Sequence, residues 1–177
     1  MSSSKREKHG RAIVWFRSDL RTHDNPALHE AIQFSKGTGV IAVFFMNPTN
    51  WKEHNWSLAK VNLLLRTLSS LSRKLKSLNI PLIVEESSFA GAAQRLLELS
   101  DKLQVGAVFA NKEYEVNEGR RDEAVKKELV EAGITFCLFE EQCVVAPDRV
   151  KTLAGKPYCV FTPFKVILSF IFARMLG

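Results

Sequence analysis

Ala12-Ile13-Val14-Trp15-Phe16-Arg17-Ser18-Asp19-Leu20-Arg21-Thr22-His23-Asp24-Asn25-Pro26 is the stretch that decides how this chain is read. Its first five residues form an apolar run too short for a helix and suited to a strand buried on both faces. The polar loop that follows ends in Asp24 or Asn25, either of which can cap a helix, with Pro26 in its first turn. Ala27, Leu28, Ala31 and Ile32 continue that helix as an apolar stripe, and Gly37 and Gly39 stop it. Strand, polar loop and helix in this order make the opening of a βαβ unit.

The pattern then repeats. Residues 40–45 form a second apolar run, stopped by Asn47-Pro48, and a loop with Trp51, His54, Asn55 and Trp56 follows. Ser57 caps a long helix with Leu58, Val61, Leu65, Leu68, Leu71, Leu75 and Leu78 on one side. Arg66, Arg73, Lys74 and Lys76 lie on its other side and read as a solvated face. Residues 81–84 are a third strand, and Ser87 or Ser88 opens a helix containing Ala92, Leu96, Leu97 and Leu99. Residues 106–110 are a fourth strand. A helix from about 115 to 132 turns Val116, Val125 and Leu129 inward, and 134–139 are a fifth strand. Strands alternating with helices predict a parallel sheet covered on both faces, and right-handed crossovers leave few topologies. We expect a Rossmann-like, doubly wound five-stranded α/β fold with strand order 3-2-1-4-5. Ligands of such sheets bind beyond the carboxyl ends of the strands, near the point where strand order reverses. That rule selects residues 17–25, 51–56 and 111–118.

A length of 177 residues suits one domain, and a charged fraction of 25% excludes neither a packed core nor solubility. The formal charge of +6 permits an acidic partner, but the basic residues are spread over helix faces and the N-terminal tail, as on a solvated surface. Cys137, Cys143 and Cys159 form no C-x-x-C pair and read as free thiols of a reducing compartment. Residues 1–11 are polar, without the apolar core of a secretory signal, and are expected to be a disordered tail. The longest apolar stretch, 166–172, is far below the ~20 residues that span a bilayer. A soluble, intracellular protein of cytoplasm or nucleus is expected, with no membrane partner. No G-x-G-x-x-G, P-loop, H-E-x-x-H or G-x-S-x-G is present. His9, His23, His29 and His54 do not pair at metal-ligand spacing, so no metal site and no catalytic residue is expected.

Phe16-Arg17-Ser18-Asp19-Leu20-Arg21-Thr22-His23-Asp24-Asn25 resembles the opening signature of the photolyase and cryptochrome family. Tyr114-Glu115-Val116-Asn117-Glu118, followed by Arg120 or Arg121 and Asp122, looks like the start of that family's antenna-site helix. Tyr158-Cys159-Val160-Phe161-Thr162-Pro163-Phe164 is similar to its exit from the α/β domain. Residues 51–57 resemble the matching loop of the branch that repairs cyclobutane pyrimidine dimers with a folate antenna. These matches span nearly the whole chain in order. The resemblance implies the N-terminal, light-harvesting domain of a class I photolyase, with the N-terminal domain of a cryptochrome photoreceptor as the alternative. It implies a reduced folate, 5,10-methenyltetrahydrofolate, as the bound pigment, a deazaflavin being the other antenna the sequence leaves open. The family's folate contacts fall on His54, Asn117 and Glu118. A generic nucleotide-binding α/β module is a third reading, but it needs a phosphate-binding glycine loop, and Gly37 and Gly39 are in the wrong place.

The chemistry is consistent with the resemblance. A pterin presents an amino group beside a ring N–H, which a carboxylate such as Glu118 can accept side by side. Asn117 can donate and accept at the remaining ring edge, His54 can stack or hydrogen-bond, and Trp51 and Trp56 can wall a pocket. Each also has a plainer role. Glu118 suits a helix N-terminus, Asn117 a cap, His54 an exposed loop, and the tryptophans loop anchoring. Arg17, Asp19, Arg21 and Asp24 are expected to form a structural ion-pair network beside the switch point.

The expected organisation is a tail (1–11), an α/β domain (12–139), an interdomain loop (140–164) and an apolar tail unlike the family (165–177). The family continues into a helical domain that holds FAD and binds DNA, whereas this chain stops at Gly177. A truncated gene model or an unspliced transcript fits that end, since a Val166 codon begins with GT as introns do. A short extra helix packing on the α/β domain is the other reading of the tail. A monomer is expected that binds folate weakly, meets DNA only through the missing domain and performs no repair alone.

Overall fold

In the computed structural model, which describes residues 10–176, the apolar runs become strands β1 (Arg11–Phe16), β2 (Val40–Met46), β3 (Leu82–Glu86), β4 (Val105–Asn111) and β5 (Thr135–Phe139). The helices are α1 (Pro26–Ser35), α2 (Pro48–Glu53), α3 (Leu58–Ser77), α4 (Ala92–Lys102), α5 (Val116–Glu131) and α6 (Phe161–Leu176). All strand pairings are parallel and the order is β3-β2-β1-β4-β5, as expected. The disordered tail expected at 1–11 lies mostly outside the described residues.

Alternating side chains of the central strands feed two cores. Val14 and Phe16 of β1 pack with Ala27, Leu28 and Ala31 of α1 and Leu68, Leu71 and Leu75 of α3. Ile13 and Trp15 point the other way, among Leu96 and Leu99 of α4 and Val125 and Leu129 of α5. The sheet is therefore covered on both faces, which is why its inner strands are apolar throughout. Between α1 and β1–β2 on one side and α5 and β4–β5 on the other, the crossovers diverge at the β1–β4 boundary, and this is the switch point.

Asn25 is the residue that caps α1, its Oδ1 accepting from the Leu28 N–H at 3.0 Å, while Asp24 stands exposed before it. Residues 51–56, expected as loop, are partly helical. Asn47 accepts from the Asn50 N–H at 3.0 Å and Pro48 occupies the first turn, so the Asn-Pro pair that stops β2 also starts α2. α4 begins at Ala92 rather than at Ser87 or Ser88, because the Ser88 hydroxyl accepts from the Gly91 N–H at 3.0 Å in a turn before the helix. Along α3 only Leu68, Leu71 and Leu75 are buried, and Leu58 is 88% exposed. Val116, expected inward, is 69% exposed because it is the first residue of α5, ahead of the turns that meet the sheet.

The chain divides into two compact units, the first ending at Phe139 and the second beginning at Glu140. The second contains a single helical turn (Pro147–Arg149), a bridge between Lys151 and Pro157, and α6. α6 starts at Phe161, inside the stretch expected as loop, and exposes Phe161, Val166, Phe170 and Met175. Among the described residues no helix is long and apolar enough to cross a membrane.

The uneven packing of α3 gives a direct test. Leu75→Ala should lower stability by about 2–5 kcal/mol, and Leu65→Ala by no more than about 0.5 kcal/mol, in urea unfolding followed by circular dichroism. Equal losses would mean that the N-terminal half of α3 is packed like its second half.

Candidate functional site

The carboxyl ends of β1 and β4 lie side by side at the switch point, and the chain leaving each is polar. Asn111, the last residue of β4, is buried, so its amide must find partners inside the protein. Its Nδ2 donates to Asp19 Oδ2 at 2.6 Å and to Asn25 Oδ1 at 2.9 Å, and its Oδ1 accepts from the Ala27 N–H at 3.1 Å. Asp19 also accepts from the Arg17 N–H at 2.8 Å and from Asn25 Nδ2 at 3.1 Å. The loop after β1 is thus folded onto the tip of β4 by three buried polar side chains that satisfy one another.

A second group lies beside it. Arg17 Nη1 donates to both oxygens of Asp122, at 2.6 and 2.7 Å, across 105 residues of sequence. Arg121 donates to Asp122 Oδ1 from Nε at 3.0 Å and to Glu113 Oε2 from Nη2 at 3.0 Å. The Ser18 hydroxyl donates to Glu113 Oε1 at 2.6 Å. Both guanidinium groups sit against the Trp15 indole, with their central carbons 5.0 and 4.8 Å from the ring centroid. An aromatic face is favourable for a cation that has lost its water. Burial pushes the Glu113 carboxyl up, but the Arg17 charge, the Ser18 hydroxyl and Arg121 outweigh it, and the carboxyl is held below its ordinary value.

The expected network is present with different members. Arg17 pairs with Asp122 and Glu113 rather than with Asp24, which offers Arg21 only its backbone carbonyl, at 2.8 Å. Asn111 and Glu113 fall in the segment 111–118 that the strand-end rule selects, and Arg121 in the family-like motif, but local spacing does not encode their partners. For Asn111 the signal is polarity at the end of a buried strand, since it closes a run of apolar residues where only a bonded amide is tolerated.

The three expected ligand contacts lie on two elements. Asn117 and Glu118 open α5, after Glu115 at its N-cap. Asn117 is exposed and Glu118 half-buried, and among the described residues neither side chain has a partner. A carboxylate in a first helical turn is favoured by the helix dipole. His54 ends α2, is exposed, and is held through its backbone N–H, which donates to the Asn50 carbonyl at 2.9 Å. α2 follows β2 and α5 follows β4, so both elements leave the carboxyl edge of the sheet on strands separated by β1 alone. No hydrogen bond joins His54 to Asn117 or Glu118. Trp51 and Trp56 stack on each other, centroids 5.6 Å apart and planes 12° from parallel, with Lys60 Nζ 3.6 Å from the Trp56 centroid. Their facing surfaces are used by one another, which matches loop anchoring better than a pocket wall.

Because removing one member of a buried ion pair strands the other, Arg17→Leu should cost about 3–5 kcal/mol in urea unfolding. The lowered Glu113 value makes part of the stability pH-dependent. That part is complete above the unfolded carboxyl value of about 4.5 and is lost as pH falls through the lower folded value. Glu113→Gln should therefore flatten the acid side of the stability profile. An unchanged profile would remove Glu113 from the network.

The DNA photolyase family model matches residues 12–172. A deoxyribodipyrimidine photo-lyase of Vibrio cholerae is 37% identical over 154 residues, covering 86% of this chain and 32% of the relative. That of Escherichia coli is 34% identical with the same coverage. The crystal structure of a class III photolyase from Agrobacterium tumefaciens is similar with a TM-score of 0.69 at 30% identity, covering 90% of this chain and 32% of that one. A cryptochrome from Synechocystis shares the fold, with a TM-score of 0.76 at 20% identity over 91% of this chain and 33% of its own. The chain spans about a third of the length of these relatives. It belongs to the DNA photolyase family and corresponds to that family's N-terminal α/β domain.

Proposed function

We propose that this domain is the light-harvesting part of a DNA photolyase and that it holds a reduced folate, 5,10-methenyltetrahydrofolate, at the carboxyl edge of its sheet. The observation that carries this reading is the first turn of α5. There a half-buried carboxylate and a neighbouring amide, Glu118 and Asn117, have no partner among the described residues, while the residues on either side of them, Glu113 and Arg121–Asp122, are locked in place. A carboxylate so placed accepts from the adjacent amino and ring N–H groups of a pterin, and Asn117 completes the ring edge. His54, at the end of α2, stacks on or hydrogen-bonds the flat ring. When bound, such a folate absorbs near-ultraviolet and violet light and passes the energy on. Residues 12–139 would act as the pigment-holding domain and 140–164 as the connection leading from it.

The flavin that donates an electron to the lesion and the surface that binds damaged DNA belong, in this reading, to the part of the relatives that these residues do not match. The 177 residues alone are then expected to bind folate weakly and to repair nothing. The curated photolyases at 32–37% identity favour this reading over that of a cryptochrome domain, for which the 20% neighbour supports the fold alone.

Titration of the purified chain with 5,10-methenyltetrahydrofolate, followed by absorbance and fluorescence, tests the assignment. A saturable spectral change is expected. Loss of a charge-assisted pair is worth about 1.5–3 kcal/mol, so Glu118→Ala should weaken binding by about ten- to a hundredfold. Unaltered affinity in Glu118→Ala would put the pigment elsewhere, and unchanged spectra with the wild-type chain would remove the folate reading.

A further inference from the structure

α3 carries Lys60, Arg66, Arg73, Lys74 and Lys76 and no acidic residue in its 20 positions. Helical spacing brings three of these cations to one flank. Arg66, Arg73 and Lys74, with Leu63 and Ser70 and with Leu20 from the loop after β1, line an open groove of about 480 Å³. All three cations are exposed, and among the described residues none has a hydrogen bond or an ion pair. Other exposed cations, Lys126 and Lys127 on α5 among them, are likewise unpaired among the described residues, whereas one on α4 is held. Arg95 is clamped by Glu85 at 2.6 and 2.9 Å and by Glu98 at 2.6 Å. The groove lies in the helical layer of α1 and α3, while Asn117 and Glu118 open α5 in the opposite layer.

We propose that this groove binds the phosphates of a short, extended nucleic-acid strand without any lesion. Three cations lining one groove without an acid favour more than one negative charge. Arg66 and Arg73 are seven residues apart, which is about 10 Å along the helix axis, so a single phosphate is too small to engage both ends. Guanidinium forks match phosphate oxygens in pairs, and Lys74 adds a point charge. The Ser70 hydroxyl can donate to a phosphate oxygen. Leu20 and the exposed Leu63 offer an apolar surface for the sugar or base between phosphates. A chain of carboxylates would carry the charge but would leave that surface uncovered.

The test uses the full 177-residue chain and a fluorescein-labelled, undamaged thymidine oligonucleotide of about eight nucleotides, with inorganic triphosphate as competitor. Fluorescence anisotropy should report binding whose logarithm falls with the logarithm of salt at a slope near −2, as about three neutralised phosphates on a single strand require. Combined Arg66→Ala, Arg73→Ala and Lys74→Ala should weaken it at least tenfold and flatten the slope. The equal charge loss of Lys102→Ala, Lys126→Ala and Lys127→Ala, which lie on α4 and α5, should leave most of it intact. Triphosphate should displace the strand only at a clear excess, and displacement at equal or lower concentration would overturn the strand as the ligand. Equal losses in the two triple variants would overturn the proposal by reducing it to overall charge, as would tighter binding of polyglutamate than of the oligonucleotide. Because the groove variants leave Glu118 untouched, folate binding should survive in them, so failure here is separable from failure of the pigment assignment.

Discussion

The contact between Arg17 and Asp122 closes a gap that the backbone cannot. Where the crossovers of a doubly wound sheet part company, two strands end side by side and no helix covers both. Here Arg17 leaves β1 and meets Asp122 on α5 with both carboxylate oxygens engaged. Neither group tolerates burial alone, since an unpaired charge in such a place costs several kcal/mol. Each therefore fixes the other, and with it the loop after β1 and the first turns of α5. Trp15 supplies the face on which both arginines rest. Asp19, Asn25 and Asn111 do the same work with neutral and single-charge bonds on the α1 side.

This arrangement explains why the proposed ligand contacts stand where they do. Asn117 and Glu118 lie between Glu113, bonded to Ser18 and Arg121, and Asp122, bonded to Arg17. Their own side chains spend nothing on the protein. A first helical turn held from both sides presents its polar ends at a constant position, which is what orientation of a flat ligand requires. His54 is on a separate short helix and is held only by its backbone, so its contribution depends more on local motion of α2.

The strands and their order were legible because burial on both faces writes continuous apolar runs, and right-handed crossovers restrict their sequence in space. What escaped was set by partners distant in the chain. The pairing of Arg17 with Asp122 rather than Asp24 spans 105 residues, and no local spacing encodes it. α2 was hidden because Asn-Pro both ends a strand and starts a helix. The leucine stripe of α3 is continuous in sequence, yet its first half extends past the core formed with the sheet, leaving Leu58, Leu63 and Leu65 exposed. The basic residues of α3 illustrate the same limit: sequence marked them as a wet face, and only the folded chain brings Leu20, from the loop after β1, to the groove that Arg66, Arg73 and Lys74 line. His54, Asn117 and Glu118 entered through the family resemblance, since their residue types alone fit ordinary surface roles equally well.

The buried pair, rather than either residue alone, joins β1 to α5. A double-mutant cycle with Arg17→Leu, Asp122→Leu and the double variant isolates that term. The pair should show a coupling of about 2–3 kcal/mol, with the double variant more stable than the sum of the single losses allows. Additive losses, with no coupling beyond about 0.5 kcal/mol, would mean that the two side chains act separately and that something else holds the switch point together.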